Sequence, residues 1–306
     1  MHFWHAYPLR YLELQFLVMQ RITPLLLALL ILAACQDVIE VDAPQSEPEI
    51  TIVGMVSDSL PVEVRVSSTA PFFSSGETPV VSGARVELFE NDSLVAVLSE
   101  SAEEPGLYAS PFRGKIGADY HLIVEVPGNY PDGVSGLWQS EPERMKRVAS
   151  VDSLQIRVLN NETLPPAFVE GDYVVMFFQE LPGEGDLMRL NRWLNDSLFQ
   201  RDIFVLEDFG VDGVYFGSGI FPPVGLYGPF PEEAIGDTFR VQLESITADY
   251  AIYLRILNEQ VNVGSPFDAP PALVLGNIRA VGDSSRYGFG YFRAAALKSA
   301  QIVYQP

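Results

Sequence analysis

Cysteine is almost absent from this 306-residue chain, and Cys35 is the only one. A single thiol cannot close an intramolecular disulfide, so the fold has to stand on its core, and a Cys-His couple beyond residue 35 has no sulfur. Histidine is nearly as scarce, with only His2, His5 and His121. Histidine-rich zinc sites therefore lack ligands, and a Ser-His-Asp arrangement past the N-terminal stretch could use His121 alone. Period two along "DYHLIVEV" turns that histidine away from Tyr120 and Leu122, so it reads as an outward strand residue. Positive charge is short as well: 19 Lys+Arg stand against 40 Asp+Glu, a net charge of −21. A surface of that sign repels phosphate backbones, which excludes nucleic-acid binding. No G-x-S-x-G, Walker loop, Rossmann fingerprint or H-E-x-x-H is present, so no cofactor is expected and no catalytic residue is singled out.

Long apolar runs are also missing, with one exception. Leu25 to Ala34, inside "TPLLLALLILAACQD" at 23–37, falls short of the roughly 20 residues that span a bilayer as a helix. It has the size of an export signal's apolar core, and Arg21 before it supplies the charge that stays on the cytoplasmic side. Residues 1–18 are long, aromatic and poorly charged for a leader, which makes Met19 the better start. Leu32-Ala33-Ala34-Cys35 resembles the bacterial lipobox, in which the cysteine sulfur takes a diacylglycerol before cleavage and becomes the first residue. The lone cysteine is then a lipidation site, residues 1–34 a signal peptide, and acidic, Pro-containing 35–49 the lipidated residue and its tether.

With 48% hydrophobic and 11% aromatic residues the remainder is a folded chain. The expected class is mainly β. Residues 50–142 carry six or seven short runs of alternating pattern, among them "PVEVRVSST", "ARVELFENDSLVAVLSE" and "DYHLIVEVP", the size and spacing of an immunoglobulin-like sandwich. Within them "VSGARVELFEND" and "EPGLYASPFRGKIGADYHLIVEVPG" resemble transthyretin-like and carboxypeptidase-regulatory sandwiches. Gly106 and Gly117 there serve turns while Tyr108 and Tyr120 fill the gap between sheets. Residues 143–306 read as a second β-rich domain. Its strands include "DYVVMFFQEL", a pair about Asn195-Asp196 in preference to a short helix and a strand, "DTFRVQLES", and "PALVLGNI", "RYGFGYFRAAAL" and "SAQIVYQP", these last three returning to the same sheet. One helix is expected over 246–262, where Tyr250, Tyr253, Leu254, Leu257 and Val261 share a face and Ser245 or Thr247 is placed to cap it.

The lipobox, "ITIVGMVSD", "GADYHLIVEVPG" and the tail motifs Phe267-Asp268-x-Pro270-Pro271, Gly276-Asn277-Ile278 and Gly288-x-Gly290-Tyr291-Phe292 resemble the Bacteroidota outer-membrane lipoprotein family catalogued as domain of unknown function 4249. Gly236-Asp237-x-Phe239 departs from that pattern. The resemblance implies an outer-membrane protein held by its N-terminal lipid, on the periplasmic or surface face, with a TonB-dependent receptor as partner. It brings no catalytic residue.

Three sets of candidate site residues remain. Asp-Ser-Leu occurs four times, and its serines Ser59, Ser93, Ser153 and Ser197 resemble O-glycosylation acceptors of Bacteroidota envelope proteins; the alternative is that Asp-Ser closes a turn and Leu opens a strand. Tyr215, Phe216, Phe221, Tyr227 and Phe230 lie in a Gly/Pro-rich stretch and, if exposed, could stack on sugar rings; packing of a long loop explains them as well. Glu207, Asp208 and Asp212 beside two glycines form a calcium candidate without the spacing of an established loop. Two functions follow: a non-enzymatic binding or accessory lipoprotein, or a carboxylate-dependent hydrolase or binder of surface glycans.

Overall fold

Apolar and polar residues alternating at period two give a strand one dry and one wet face. In the computed structural model of the chain Val62, Val64 and Val66 are accordingly buried while Glu63 and Arg65 meet solvent. The structure describes residues 47–70, 78–159, 170–198, 203–217, 224–231, 234–261 and 273–305. The stretches expected as signal peptide and, for the most part, as tether, with Cys35, Phe221 and the Phe267–Pro271 motif, lie outside these residues.

The chain is mainly β. It begins with β1 (Ile50–Ser57), β2 (Val62–Ser68), β3 (Arg85–Glu90), β4 (Ser93–Glu100), β5 (Leu107–Ser110), β6 (Asp119–Val126), β7 (Gly136–Ser140) and the short β8 (Glu143–Arg144). There follow β9 (Val151–Leu159), β10 (Gly171–Gln179), β11 (Leu187–Leu194), β12 (Ser197–Leu198), β13 (Phe204–Glu207), β14 (Tyr215–Phe216), β15 (Val224–Tyr227) and β16 (Thr238–Ile246). Helix α1 (Ala248–Val261) precedes β17 (Ile278–Ala280), β18 (Asp283–Gly288), β19 (Phe292–Ala295) and β20 (Leu297–Val303).

An eleven-stranded sheet runs β18-β17-β7-β6-β3-β4-β5-β2-β1-β19, with β8 added beside β6. Strand β4 is its fold line: Leu98 pairs with Val86 of β3, while Ser99 and Glu100 pair with Ala109 and Tyr108 of β5. The sheet therefore curls into two facing layers, a sandwich-like arrangement around Ile52, Val64, Leu88, Tyr108, Tyr120 and Trp138. Burying an aliphatic side chain of this size stabilises by roughly 1.5–3 kcal/mol. Both tyrosines reach the gap between layers and keep their hydroxyls paired, Tyr108 donating to the Val81 carbonyl at 2.9 Å and Tyr120 to Glu90 Oε2 at 2.6 Å. Gly106 and Gly117 do take left-handed turns, at φ 78° and 90°.

Two smaller sheets follow, β14-β10-β15 with β9 beside β10, and β12-β11-β16-β20 with β13 beside β11. Strand β10 is dry on both faces: Val174, Met176 and Phe178 join the main core while Tyr173, Val175 and Phe177 form a separate cluster.

The C-terminal strands correct one expectation. β20 does return to the second region, pairing with β16. The others do not: β17 and β18 extend the first sheet beyond β7, and β19 pairs in parallel with β1 on its opposite edge. Residues 45–306 form one compact unit, and these strands cross the boundary expected between 142 and 143. Among the described residues of "PALVLGNI", 273–278, the strand begins only at Ile278. Backbone proximity explains the clip, because a Cβ on Gly276 would lie 1.5 Å from the Gly290 carbonyl oxygen and one on Gly290 2.2 Å from that of Ile52. Only glycine fits either place.

Helix α1 starts two residues later than expected and buries Tyr250, Ala251 and Leu254, while Val261 is exposed. Thr247 is its cap, accepting the Tyr250 amide at 3.3 Å. Ser245 serves β19 and β20 instead, donating to the Lys146 carbonyl and accepting the Ala296 amide.

Candidate functional site

The first turn of α1, strand β8 and the tail motifs meet at a buried carboxyl. Glu143 is paired with Tyr120 across β8 and β6, which fixes its backbone and sends its side chain toward the helix. Its Oε1 accepts the Tyr291 hydroxyl at 2.6 Å and its Oε2 accepts the Thr247 hydroxyl at 2.8 Å. Burial raises the pKa of Glu143 above the usual carboxylate value, the two hydroxyl bonds pull it down, and the charge of Asp249 adds to the rise. The same burial, with Glu143 opposite, pushes Tyr291 upward, so its phenol stays a donor.

Tail residues hold this geometry. Asn277 donates from Nδ2 to the Phe292 carbonyl at 2.8 Å and accepts the Phe292 amide at 3.0 Å, replacing a strand partner with a side chain. Tyr291 is thereby set beside Tyr250 and Tyr253, with ring centres 4.7 and 5.0 Å away. Behind them Arg293 forms an ion pair with Glu244, whose other oxygen accepts Asn191 at 3.1 Å. Burial works against the Arg293 charge, but Glu244 outweighs it and the pKa is raised. Tyr250 is also raised by burial and accepts Arg189 at 3.1 Å.

In front of the carboxyl lies a cleft of about 200 Å³, lined by Glu141, Glu143 and Asp249 together with Ile252, Tyr253, Leu275 and Arg279. Arg279 is held by the carbonyls of Gly276 and Ile278 and stacks over Tyr287, 4.1 Å from the ring centre. Acids, one oriented guanidinium and aromatic edges can grip a small polar group or a side chain presented by a partner. Glu143, with both oxygens already bonded, acts within the wall as a clasp.

The residues singled out in the sequence do not converge on this cleft. Ser59 is exposed in the turn after β1, and Ser93 and Ser197 are exposed as first residues of β4 and β12. Ser153 is half-buried within β9 opposite Phe177. The turn explanation therefore covers Ser93 and Ser197, and Ser153 departs from it. Among the aromatic candidates, Phe216 stacks on Phe178 at 4.8 Å, Tyr227 on Phe239 at 5.7 Å and Phe230 on Tyr304 at 4.3 Å. These three rings pack on the protein itself, and of the four described residues Tyr215 is the exposed one.

The calcium trio is divided. Glu207 pairs with Arg255 at 3.3 Å, whereas Asp208 accepts the Gly185 and Asp186 amides and Asp212 the Gly183 amide. Among the described residues no three acidic, histidine or cysteine side chains gather around a metal-sized point. His121 stacks on Phe89 with ring centres 4.9 Å apart, and burial lowers its pKa. Glu143 was hidden in "SEPERMKRV", which reads as a polar connector. Its partner Tyr291 lies in the tail motif Gly288-x-Gly290-Tyr291-Phe292, and the contact between them appears only in the fold.

The family described as Domain of unknown function (DUF4249) matches residues 36–301. No curated protein matches the chain.

Proposed function

The chain belongs to that family, and we propose that it is a lipid-anchored cell-envelope protein that works by binding, as an accessory component beside a TonB-dependent outer-membrane receptor. Its anchor is Cys35. The observation that supports binding over chemistry is the state of Glu143, the carboxyl with the most altered surroundings at the cleft, whose two oxygens are both committed to Tyr291 and Thr247. The cleft it braces would take a small polar group of the receptor or its ligand. The test is intact-mass and fractionation analysis of the native protein. A diacylated Cys35 as first residue, loss of the membrane-bound form in Cys35→Ala, and recovery of a receptor with the wild-type protein in mild detergent support the reading. An unacylated amino terminus elsewhere, or a membrane extract free of any receptor, overturns it. The same spectrum reports glycans, since mass beyond the lipidated chain that disappears in Ser59→Ala, Ser93→Ala and Ser197→Ala assigns those acceptors.

A second reading, a carboxylate-dependent hydrolase of surface glycans, draws on Glu141, Glu143 and Asp249 lining one cleft. Hydrolysis of a glycan that is lost in Glu143→Gln and Asp249→Asn without loss of folding would favour it.

A further inference from the structure

We propose that the outer face of the sheet β12-β11-β16-β20, around Trp193 and Arg240, binds a sugar unit that carries one carboxylate, a uronic acid within an otherwise uncharged glycan. The site shares no residue with the cleft and does not depend on the envelope role.

Strand register builds this face. Met188, Leu190, Val241 and Leu243 turn into the main core, so the residues between them turn outward. Helix α1 covers one end of the outer face, resting on Leu187, Val205 and Ile246. Beyond it two rows cross the sheet, Trp193 beside Arg240 beside Gln301, and Asn191 beside Gln242 beside Ser299. Gln301 and Ser299 are exposed and the other four are half-buried. Gln242 donates to Ser299 Oγ at 3.2 Å, which ties β16 to β20 across the second row.

Two residues of the first row have no use inside the protein. Trp193 joins none of the apolar clusters among the described residues, and the Arg240 guanidinium lies over its ring, 4.4 Å from the centre. Arg240 makes no hydrogen bond or ion pair among the described residues, and its Nε is out of water without a partner. A charge drawn partly out of water is normally met by an opposite one. Here acids outnumber bases by 40 to 19, and none of the described ones meets Arg240. Only Nε is shut off from water, so the terminal nitrogens stay open to a ligand. Stacking on Trp193 fixes the plane of that fork, which fits a carboxylate and loses little freedom on binding one.

The neighbours of the fork favour a sugar as the carrier of that carboxylate. Gln301, Gln242 and Ser299 offer amide and hydroxyl groups that both donate and accept, as the hydroxyls of a sugar ring require. An acidic peptide brings backbone groups that pair along a strand edge rather than across a face. A polyanion is repelled by the net charge of −21, whereas a single acid on an uncharged chain is not.

Titration of the full mature chain with methyl glucuronide and with methyl glucoside, which differ only in carboxylate against hydroxymethyl, tests this by calorimetry and tryptophan emission. Trp4 falls in the stretch expected as signal peptide and Trp138 is fully buried, so a change in emission reports Trp193. The glucuronide should bind with a Kd of about 1 mM or lower, and about tenfold or more tightly than the glucoside. Arg240→Gln should erase that preference without lowering Tm, since the guanidinium has no ion pair inside the protein to lose. Gln301→Ala, at an exposed position, should weaken both sugars about threefold or more, and it keeps the test decisive if Arg240→Gln does not fold. The proposal is overturned by no response to about 10 mM glucuronide, by equal affinity for the two sugars, or by an Asp-containing tetrapeptide that binds as tightly as the glucuronide. A preference that survives in Arg240→Gln, or wild-type affinity for both sugars in Gln301→Ala, overturns it as well.

Discussion

The corners at Asn91-Asp92-Ser93-Leu94 and Asn195-Asp196-Ser197-Leu198 use the same four residues and the same backbone, with φ of 47° and 64° in the first and 47° and 65° in the second. Both are tight hairpin turns with two left-handed residues, which Asn and Asp tolerate best among residues with a side chain. The likeness extends into the next strand. Asn91 exchanges its amide and Oδ1 with the carbonyl and amide of Asp119, and Asn195 does the same with Thr238. Gly117 and Gly236 precede those strands at φ 90° and 98°, donating to the carbonyls of Met145 and Tyr304. Tyr120 and Phe239 then enter the core from matching positions. Beyond the corner the regions part. β4 runs eight residues and folds the first sheet over from β3 to β5, whereas beyond the second corner both β12 and β13 pair with β11 and stay in one sheet. The same local chemistry builds both corners, and long-range pairing decides whether a sheet closes.

Breaking that closure should have the largest effect. The first region is held at both edges by β17–β19, and their clip depends on Gly276 lying against Gly290. Gly276→Ala should cost about 4 kcal/mol or more, because the clash is with backbone and cannot be relieved by a rotamer. Urea unfolding measures the loss. Amide exchange should rise more in β1 and β7 than in β11 and β16, and uniform exchange in all four would mean that the two regions do not differ in how they are held.

What was legible in the sequence follows the same division. β1 to β7 each announce themselves by period two or by a turn, and α1 by its stripe, so local physics suffices. The parallel pairing of β1 with β19 joins segments more than two hundred residues apart, and no local pattern encodes a partner at that distance. "PALVLGNI" was apolar enough to read as a strand, yet its described residues 273–275 pass as irregular chain to the glycine contact. Glu143 lay in a charged connector, and its environment is made by Thr247 and Tyr291 from distant segments.

A middle-sized effect should test whether the two corners are equivalent. Asn91→Ala and Asn195→Ala each remove an acceptor for a strand amide and force alanine into a left-handed turn, which costs about 1–2 kcal/mol. Glycine at either position should recover part of that by accepting the backbone. The double alanine variant should equal the sum of the singles within about 0.5 kcal/mol, as for sites without shared partners. Denaturation midpoints of the three variants check it, and a much smaller cost at Asn195 would show that the second corner depends less on its turn than the first.

The smallest effect concerns the one place where matched positions carry opposite chemistry. Opposite Tyr120 stands Glu143, and opposite Phe239 stands Ile302. The first region thus holds an ionisable group where the second holds a methyl branch. Burial raises the Glu143 pKa, with Asp249 adding to the rise and the Tyr291 and Thr247 bonds opposing it, so the native state keeps this proton to higher pH than the unfolded chain does. The associated stability is complete below the unfolded-state pKa and is lost as pH rises through the folded-state value. Glu143→Gln has no such loss and still offers the hydroxyls a partner. Wild-type Tm should therefore fall relative to the variant as pH is taken from about 4.5 toward neutrality, the gap levelling once Glu143 is ionised. Melting curves at stepped pH read the sign directly: a gap that closes with rising pH would mean the hydroxyl bonds outweigh burial and that Glu143 is held as a settled anion.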